Sequence, residues 1–308
     1  MRSGNSLTLV FCVLLFLGVW APGEARCDSA PAIPGIEGSD QRVPADSAAW
    51  PWIAIGRLNR EIGGHCTAAL IGPRLVLTAA HCLYNLADGR WTLPQEVHFV
   101  AGYRRGQYAA HAIAVHFTVD PAYDPKHPTK PGALARDWAV VELATGLAIK
   151  PIPVSTRSLK EIMTAAQSGE LNVAGYAQDH GEVLLRHKGC QLLGEATDIA
   201  LLVHRCNVTY GVSGAPLLLL EGGKAEIIGI QSAIADTSKG TVATAVPVAA
   251  FTSAVAQAST ARQATRPSSA PASAAAPHNR RQPTGSTRRA RRAGAALRSP
   301  ARRRPACR

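Results

Sequence analysis

Three short segments carry side chains able to do chemistry together. Leu75-Val-Leu-Thr-Ala-Ala-His81-Cys82 runs an apolar stretch into a histidine beside a cysteine, and Arg136-Asp137-Trp-Ala-Val-Val-Glu-Leu143 sets an aspartate at the start of a second apolar run. Tyr210-Gly-Val-Ser213-Gly-Ala-Pro216 brackets a serine with glycines. A serine hydroxyl is a poor nucleophile until an imidazole takes its proton, and that imidazole must be held in one tautomer by a carboxylate. Glycines beside the serine let the backbone bend so that amides face a developing oxyanion. The chemistry is acyl transfer. Singly, each segment has a plainer reading as a turn or a buried histidine; the weight lies in their joint occurrence.

The elements that must position these residues are short and β-rich. Trp52–Arg57, Cys66–Ile71, Leu75–Thr78, Val97–Ala101, Ile113–Phe117, Ala139–Leu143, Leu171–Ala174, Ile199–Val203, Ala215–Leu220 and Ile227–Gln231 read as strands. Turn signals at Gly72-Pro73, Ala87-Asp-Gly89 and Glu221-Gly-Gly223 separate them at spacings suited to a sandwich or barrel. Helical pattern is scarce, the best cases being Pro247–Gln257 at the end of the body and Ser158–Ala166. No GxGxxG follows a strand, and neither a phosphate-binding GxxxxGK[ST] nor an HExxH occurs. Nucleotide and zinc-protease chemistry therefore have no support.

The chain has 308 residues and a net charge of +12, a balance that reads at first as a polyanion binder. From Ser259 onward, however, there are 13 arginines and no acid, which leaves 20 basic against 21 acidic groups in the first 258 positions. The body is near neutral, and its composition can bury a substantial core. The stretch 259–308 is mainly Ala, Ser, Pro and Arg with no apolar periodicity, so disorder is expected there. It is either a basic arm for an anionic surface or polyanion, or a solvated tail with no selected partner; the second reading is preferred, and no stable nucleic-acid partner is expected.

At the other end, Arg2, the apolar run Leu7–Trp20 and the small-residue exit ending at Ala25 read as a secretory signal at 1–25. The apolar stretch is short of the roughly 20 residues that a membrane span needs, so no transmembrane anchor is expected. Residues 26–42 form an N-terminal segment or propeptide, the folded body is 43–258, and the expected location is secreted or periplasmic. Export makes disulfides the default for the cysteines left after the signal. Cys66 to Cys82 and Cys190 to Cys206 are each 16 apart and lack zinc-knuckle spacing, so two local staples are expected, each stabilising by roughly 3 kcal/mol. Whether Cys27 and Cys307 pair is not legible.

These segments resemble the trypsin/chymotrypsin-like serine proteases, in the chain order His, Asp, Ser. Thr78-Ala-Ala-His81-Cys82 matches that family's histidine motif, Cys66-Thr-Ala-Ala-Leu-Ile the strand carrying its disulfide partner, Asp137 with its apolar run the aspartate motif, and Gly211-Val-Ser213-Gly-Ala-Pro216 the serine motif with substitutions. The resemblance implies an all-β, chymotrypsin-like fold of two packed antiparallel six-stranded β-barrels, to which the pattern adds a short C-terminal helix. It implies a secreted endopeptidase acting on protein or peptide substrates, with His81 as general base and acid, Asp137 as orienting carboxylate and Ser213 as nucleophile. Gly211 and Ser213 would supply the oxyanion-hole amides. Ser232 would support the aspartate and, with Asn207 and Gln231, face substrate. No cofactor and no metal are implied.

Departures narrow the branch. Val212 replaces the acid that receives a freshly cut N-terminus in digestive members, which points to the bacterial glutamyl-endopeptidase-like branch. Arg42-Val43 followed by Trp50-Pro51-Trp52 resembles a processing site before a mature start. Gln231 stands where that branch places a glutamate-recognising histidine, so acidic preference is not carried over. Asn207, six before the nucleophile, is not the acid that selects Arg or Lys, and Ile234 would narrow the pocket entrance. His65, His111, His116 and His204 are read as surface or packing residues, and Asp120 and Asp124 as a surface loop. Two other functions compete: a non-catalytic binding protein on the same fold, and polyanion binding through the basic tail.

Overall fold

A computed structural model describes residues 33–238 and 240–264. The signal expected at 1–25, Cys27, Cys307 and the arginine-rich stretch beyond residue 264 lie outside the described residues.

The chain forms β1 (Arg42–Pro44), a 3-10 turn at Trp52–Ala54, β2 (Ile55–Arg60), β3 (His65–Gly72) and β4 (Leu75–Thr78). A small hairpin of β5 (Tyr84–Asn85) and β6 (Arg90–Trp91) precedes β7 (Val97–Ala101), β8 (Ala110–Val119), the single turn α1 (Pro131–Leu134) and β9 (Ala139–Leu143). Six of these strands close an antiparallel barrel in the order β2-β3-β4-β9-β8-β7. Register puts Leu58, Leu70, Val76, Phe99, Val141 and Leu143 on one face of the closed sheet, all essentially inaccessible to solvent. Each such side chain stabilises by about 1.5–3 kcal/mol relative to exposure.

The second half comprises α2 (Leu159–Ser168), β10 (Glu170–Gly175), β11 (Leu185–Lys188), β12 (Leu192–Ala196), β13 (Leu201–His204), β14 (Pro216–Glu221), β15 (Lys224–Thr237), β16 (Gly240–Pro247) and α3 (Thr252–Ala264). Its sheet runs β1-β11-β10-β14-β15-β16-β13-β12. β11 and β12 are consecutive, parted only by Gly189-Cys190-Gln191, yet β11 pairs with β10 and β12 with β13 near the other end of the sheet. One broken strand thus reaches both ends and bridges the gap. Counted as one, this half has six strands, with β1 added outside, and the architecture is the all-β two-barrel one expected.

Local chemistry explains the boundaries. Gly222 and Gly223, at φ +57° and +75°, make the two-residue turn between β14 and β15 that a primed hairpin requires. In α2, Ser158 caps the start: its N–H donates to the Glu161 carboxylate at 2.7 Å while its hydroxyl accepts the Glu161 N–H. The C-terminal helix begins later than the pattern at Pro247 suggested, because Val248–Ala250 forms a 3-10 turn first. It also runs six residues past 258, where Ala, Gln and Arg remain good helix formers. The Cys66–Cys82 and Cys190–Cys206 bonds are both formed.

Candidate active site

Strand register brings the first two motifs together. Thr78 on β4 pairs with Ala139 on β9, so the turn after β4 and the turn before β9 emerge side by side. His81 sits in the 3-10 turn Ala80–Leu83, fixed by the bond from Cys82 to Cys66 on β3, and Asp137 lies two residues before β9. The Asp137 carboxylate is buried, and both oxygens are used. Oδ1 accepts the backbone N–H of His81 at 2.9 Å; Oδ2 accepts His81 Nδ1–H at 2.7 Å and the Ser232 hydroxyl at 2.6 Å. Since Nδ1 faces the carboxylate, the Nε2 of neutral His81 is the acceptor nitrogen.

Ser232 reaches across from the second half because β15 is irregular there: Gln231 pairs with Ala245 and Ala233 with Thr244, leaving Ser232 as the extra residue of a bulge. A bulge re-aims a side chain, here toward Asp137. Burial disfavours charge on both members of the His81–Asp137 pair, but their attraction and hydrogen bonds outweigh it. The imidazole is held above its ordinary pKa and the carboxyl below its own.

Ser213 lies in the turn before β14, and accounting for its backbone groups is informative. The carbonyls of Tyr210, Val212 and Ser213 accept the N–H groups of Gln178, Ala215 and Thr67 at 2.7, 2.9 and 2.9 Å. The Gly211 carbonyl accepts the Thr67 hydroxyl at 2.9 Å. Among N–H groups, Val212 donates to Thr209, Gly214 to Gln231 and Ala215 to Val212. Among the described residues, the N–H groups of Gly211 and Ser213 have no acceptor. One of these open donors is on the serine itself and the other two residues before it, and both are free to donate to an anion. Gly211 adopts φ +88°, and a Cβ there would meet the Tyr176 carbonyl at 2.5 Å, so only glycine fits the turn.

His81, Asp137, Ser213, Gln231, Ser232 and Ile234 line one cavity of about 760 Å³. Gln231 is nearly buried, its Nε2 donating to the Ala233 carbonyl at 2.8 Å. Asn207 is not in the lining. Its Oδ1 accepts the Gln41 N–H at 3.0 Å, and it borders a neighbouring cleft. Residues Ile33–Ile36, upstream of Arg42-Val43, also line the main cavity, which nothing in their sequence signalled. Cys66, His81 and Cys82 bring ligand-type atoms within 4.8 Å of one another, but the two sulfurs are bonded to each other, which removes the thiolates a metal would need.

Comparison with known proteins adds three findings. The family model described as Trypsin matches residues 40–255. Glutamyl endopeptidase of Bacillus licheniformis is 39% identical over 59 residues, 19% of this chain and 18% of that protein, so the match spans under a fifth of the relative. Among solved structures, a Glu endopeptidase in complex with MPD superposes with a TM-score of 0.56 at 23% identity, covering 72% of this chain and 98% of the other. The VesB protease of Vibrio cholerae gives 0.54 at 23%, covering 71% and 67%. These superpositions concern the fold.

Proposed function

The chain belongs to the trypsin family, and from that premise we propose that it is a serine endopeptidase in which Ser213 is the nucleophile, His81 the general base and acid, and Asp137 the orienting carboxylate. The observation that carries the reading is the pair of open N–H groups on Gly211 and Ser213 beside a histidine whose tautomer is set by a buried aspartate. In the reaction, His81 Nε2 takes the proton of Ser213 Oγ as that oxygen adds to the scissile carbonyl. The oxyanion then accepts the two N–H groups. His81 returns the proton to the leaving amine, and water repeats the sequence on the acyl-enzyme. Asp137 stays ionised throughout and stabilises the imidazolium.

Of the three expected specificity residues, we assign Gln231 and Ser232 to substrate contact and give Asn207 the part of tying the segment before β1 through Gln41. Among the described residues, no lysine or arginine lines the cavity, so a glutamate at the cleaved bond would find no fixed cation from them there. The preferred residue is neutral, and the preference in the relative's name does not transfer. Two disulfides support an oxidising location, extracellular or periplasmic. No helix among the described residues is long and apolar enough to cross a membrane. Digestion of a proteome-derived peptide mixture tests the proposal. Cuts after neutral residues that vanish with Ser213→Ala are expected, whereas cuts after Glu, Lys or Arg would refute the assignment of preference.

A further inference from the structure

Every restraint on the carbonyls from Tyr210 to Ser213 comes from backbone except one, the hydroxyl of Thr67 on the Gly211 carbonyl. That hydroxyl does two jobs. It donates to Gly211 at 2.9 Å and accepts the N–H of Tyr176 at 2.9 Å, while the Thr67 backbone N–H donates to Ser213 and its carbonyl accepts the Thr78 hydroxyl at 2.9 Å. A single inaccessible residue of β3 in the first half therefore holds both ends of the Gly211–Ser213 turn in the second. The space for it is reserved by glycine: a Cβ on Gly175 would come 2.9 Å from the Thr67 hydroxyl, and one on Gly214 would run into the Thr67 carbonyl and the Thr78 hydroxyl.

We propose that Thr67 is a positioning residue that keeps the Gly211–Ser213 turn in its anion-receiving form. The inference rests on the function proposed above. Gly211 has no side chain to restrict it, so its peptide planes keep their direction only if something grips them. A hydroxyl is a small group that donates and accepts at the same atom, which the Gly211 carbonyl and the Tyr176 N–H jointly demand. Without it the Tyr176 N–H is left buried and unpaired and the partly buried Gly211 carbonyl loses its donor, and the turn regains partners by rotating toward groups now facing the cavity. Rotation would withdraw an oxyanion donor from the transition state more than from the bound substrate.

The test compares Thr67→Val, Thr67→Ser and Thr67→Ala with wild type on one peptide substrate, with Ser213→Ala as blank and thermal unfolding alongside. Thr67→Val should lower kcat about tenfold to a hundredfold, short of the loss from deleting a donor outright, and leave KM within about threefold. Affinity for a peptide aldehyde, whose adduct carries the same oxyanion, should fall in step with kcat, while product-peptide affinity holds. Thr67→Ser should restore kcat. If Thr67→Val does not fold, the Ser and Ala variants, which differ only in the hydroxyl, decide the question. Wild-type kcat in Thr67→Val, or equal kcat in the Ser and Ala variants, overturns the inference alone. A wild-type protein that neither hydrolyses peptides nor reacts at Ser213 overturns the proposed function and this inference with it.

Discussion

Acid should destabilise the folded chain through one residue of β13, His204. It is fully buried, its Nδ1 accepts the Cys206 N–H at 3.3 Å, and burial drives its pKa from the ordinary value of 6.5 down to about 4. In the unfolded chain the imidazole takes up a proton near pH 6.5; in the folded chain it stays neutral down to about 4. Between those limits the unfolded state binds more protons, so the free energy of unfolding falls as pH falls. A gap of about 2.5 units amounts to about 3 kcal/mol, a large part of a total stability of about 5–15 kcal/mol. Denaturant unfolding from pH 7.5 to 4, in a Ser213→Ala background that prevents self-digestion, measures it. The comparison is His204→Asn, whose amide oxygen takes the Cys206 N–H without titrating. The variant should start less stable, by about 1–2 kcal/mol for its smaller side chain, yet lose about 3 kcal/mol less by pH 4. Parallel curves for the two proteins would refute the reasoning.

Activity needs neutral His81, and because Asp137 holds its pKa above the ordinary value of 6.5, the acid limb of the pH–rate profile should have its midpoint above that pH. Asp137→Asn removes the attraction and leaves burial, so the midpoint should move down while kcat falls about 10⁴-fold; an unmoved limb contradicts the assignment. Gly214→Ala meets the Thr78 hydroxyl and Thr67 carbonyl at φ +77°, whereas Gly222→Ala at φ +57° meets nothing within 4 Å. Strain of about 1–3 kcal/mol is common to both, so unfolding midpoints should be clearly lower for Gly214→Ala, and equal shifts would count against the packing argument. Replacing Cys66 and Cys82 together by alanine opens a loop of 16 residues and should cost about 3 kcal/mol in denaturant unfolding, with kcat lowered as well because Cys82 adjoins His81.

The segments that carried chemistry were legible because each sits at the end of a strongly apolar strand. Leu75–Thr78 and Ala139–Leu143 have their sequence runs and their structural bounds in common. Strands without that contrast were not legible. β11 (Leu185–Lys188) carries Arg, His and Lys, β12 is interrupted by Gly194 at a bulge, and both form because neighbouring strands supply hydrogen bonds that local composition does not announce. The offset of Asn207 from Ser213 suggests substrate contact, but Gln41, 166 residues earlier, engages its side chain. In the sequence Thr67 stands only as part of an apolar strand. Nothing in a strand threonine distinguishes a hydroxyl facing solvent from one that bridges Tyr176 and Gly211, since both partners lie more than 100 residues away.

The central claim is that Ser213 is a nucleophile activated by His81. Labelling by a fluorophosphonate probe, with the adduct located by peptide mass spectrometry, measures it directly. One adduct per chain on Ser213 is expected, abolished in Ser213→Ala and slowed by orders of magnitude in His81→Ala, with both variants folded. A folded wild-type protein that takes up no more probe than Ser213→Ala, or carries the adduct on another residue, would contradict it.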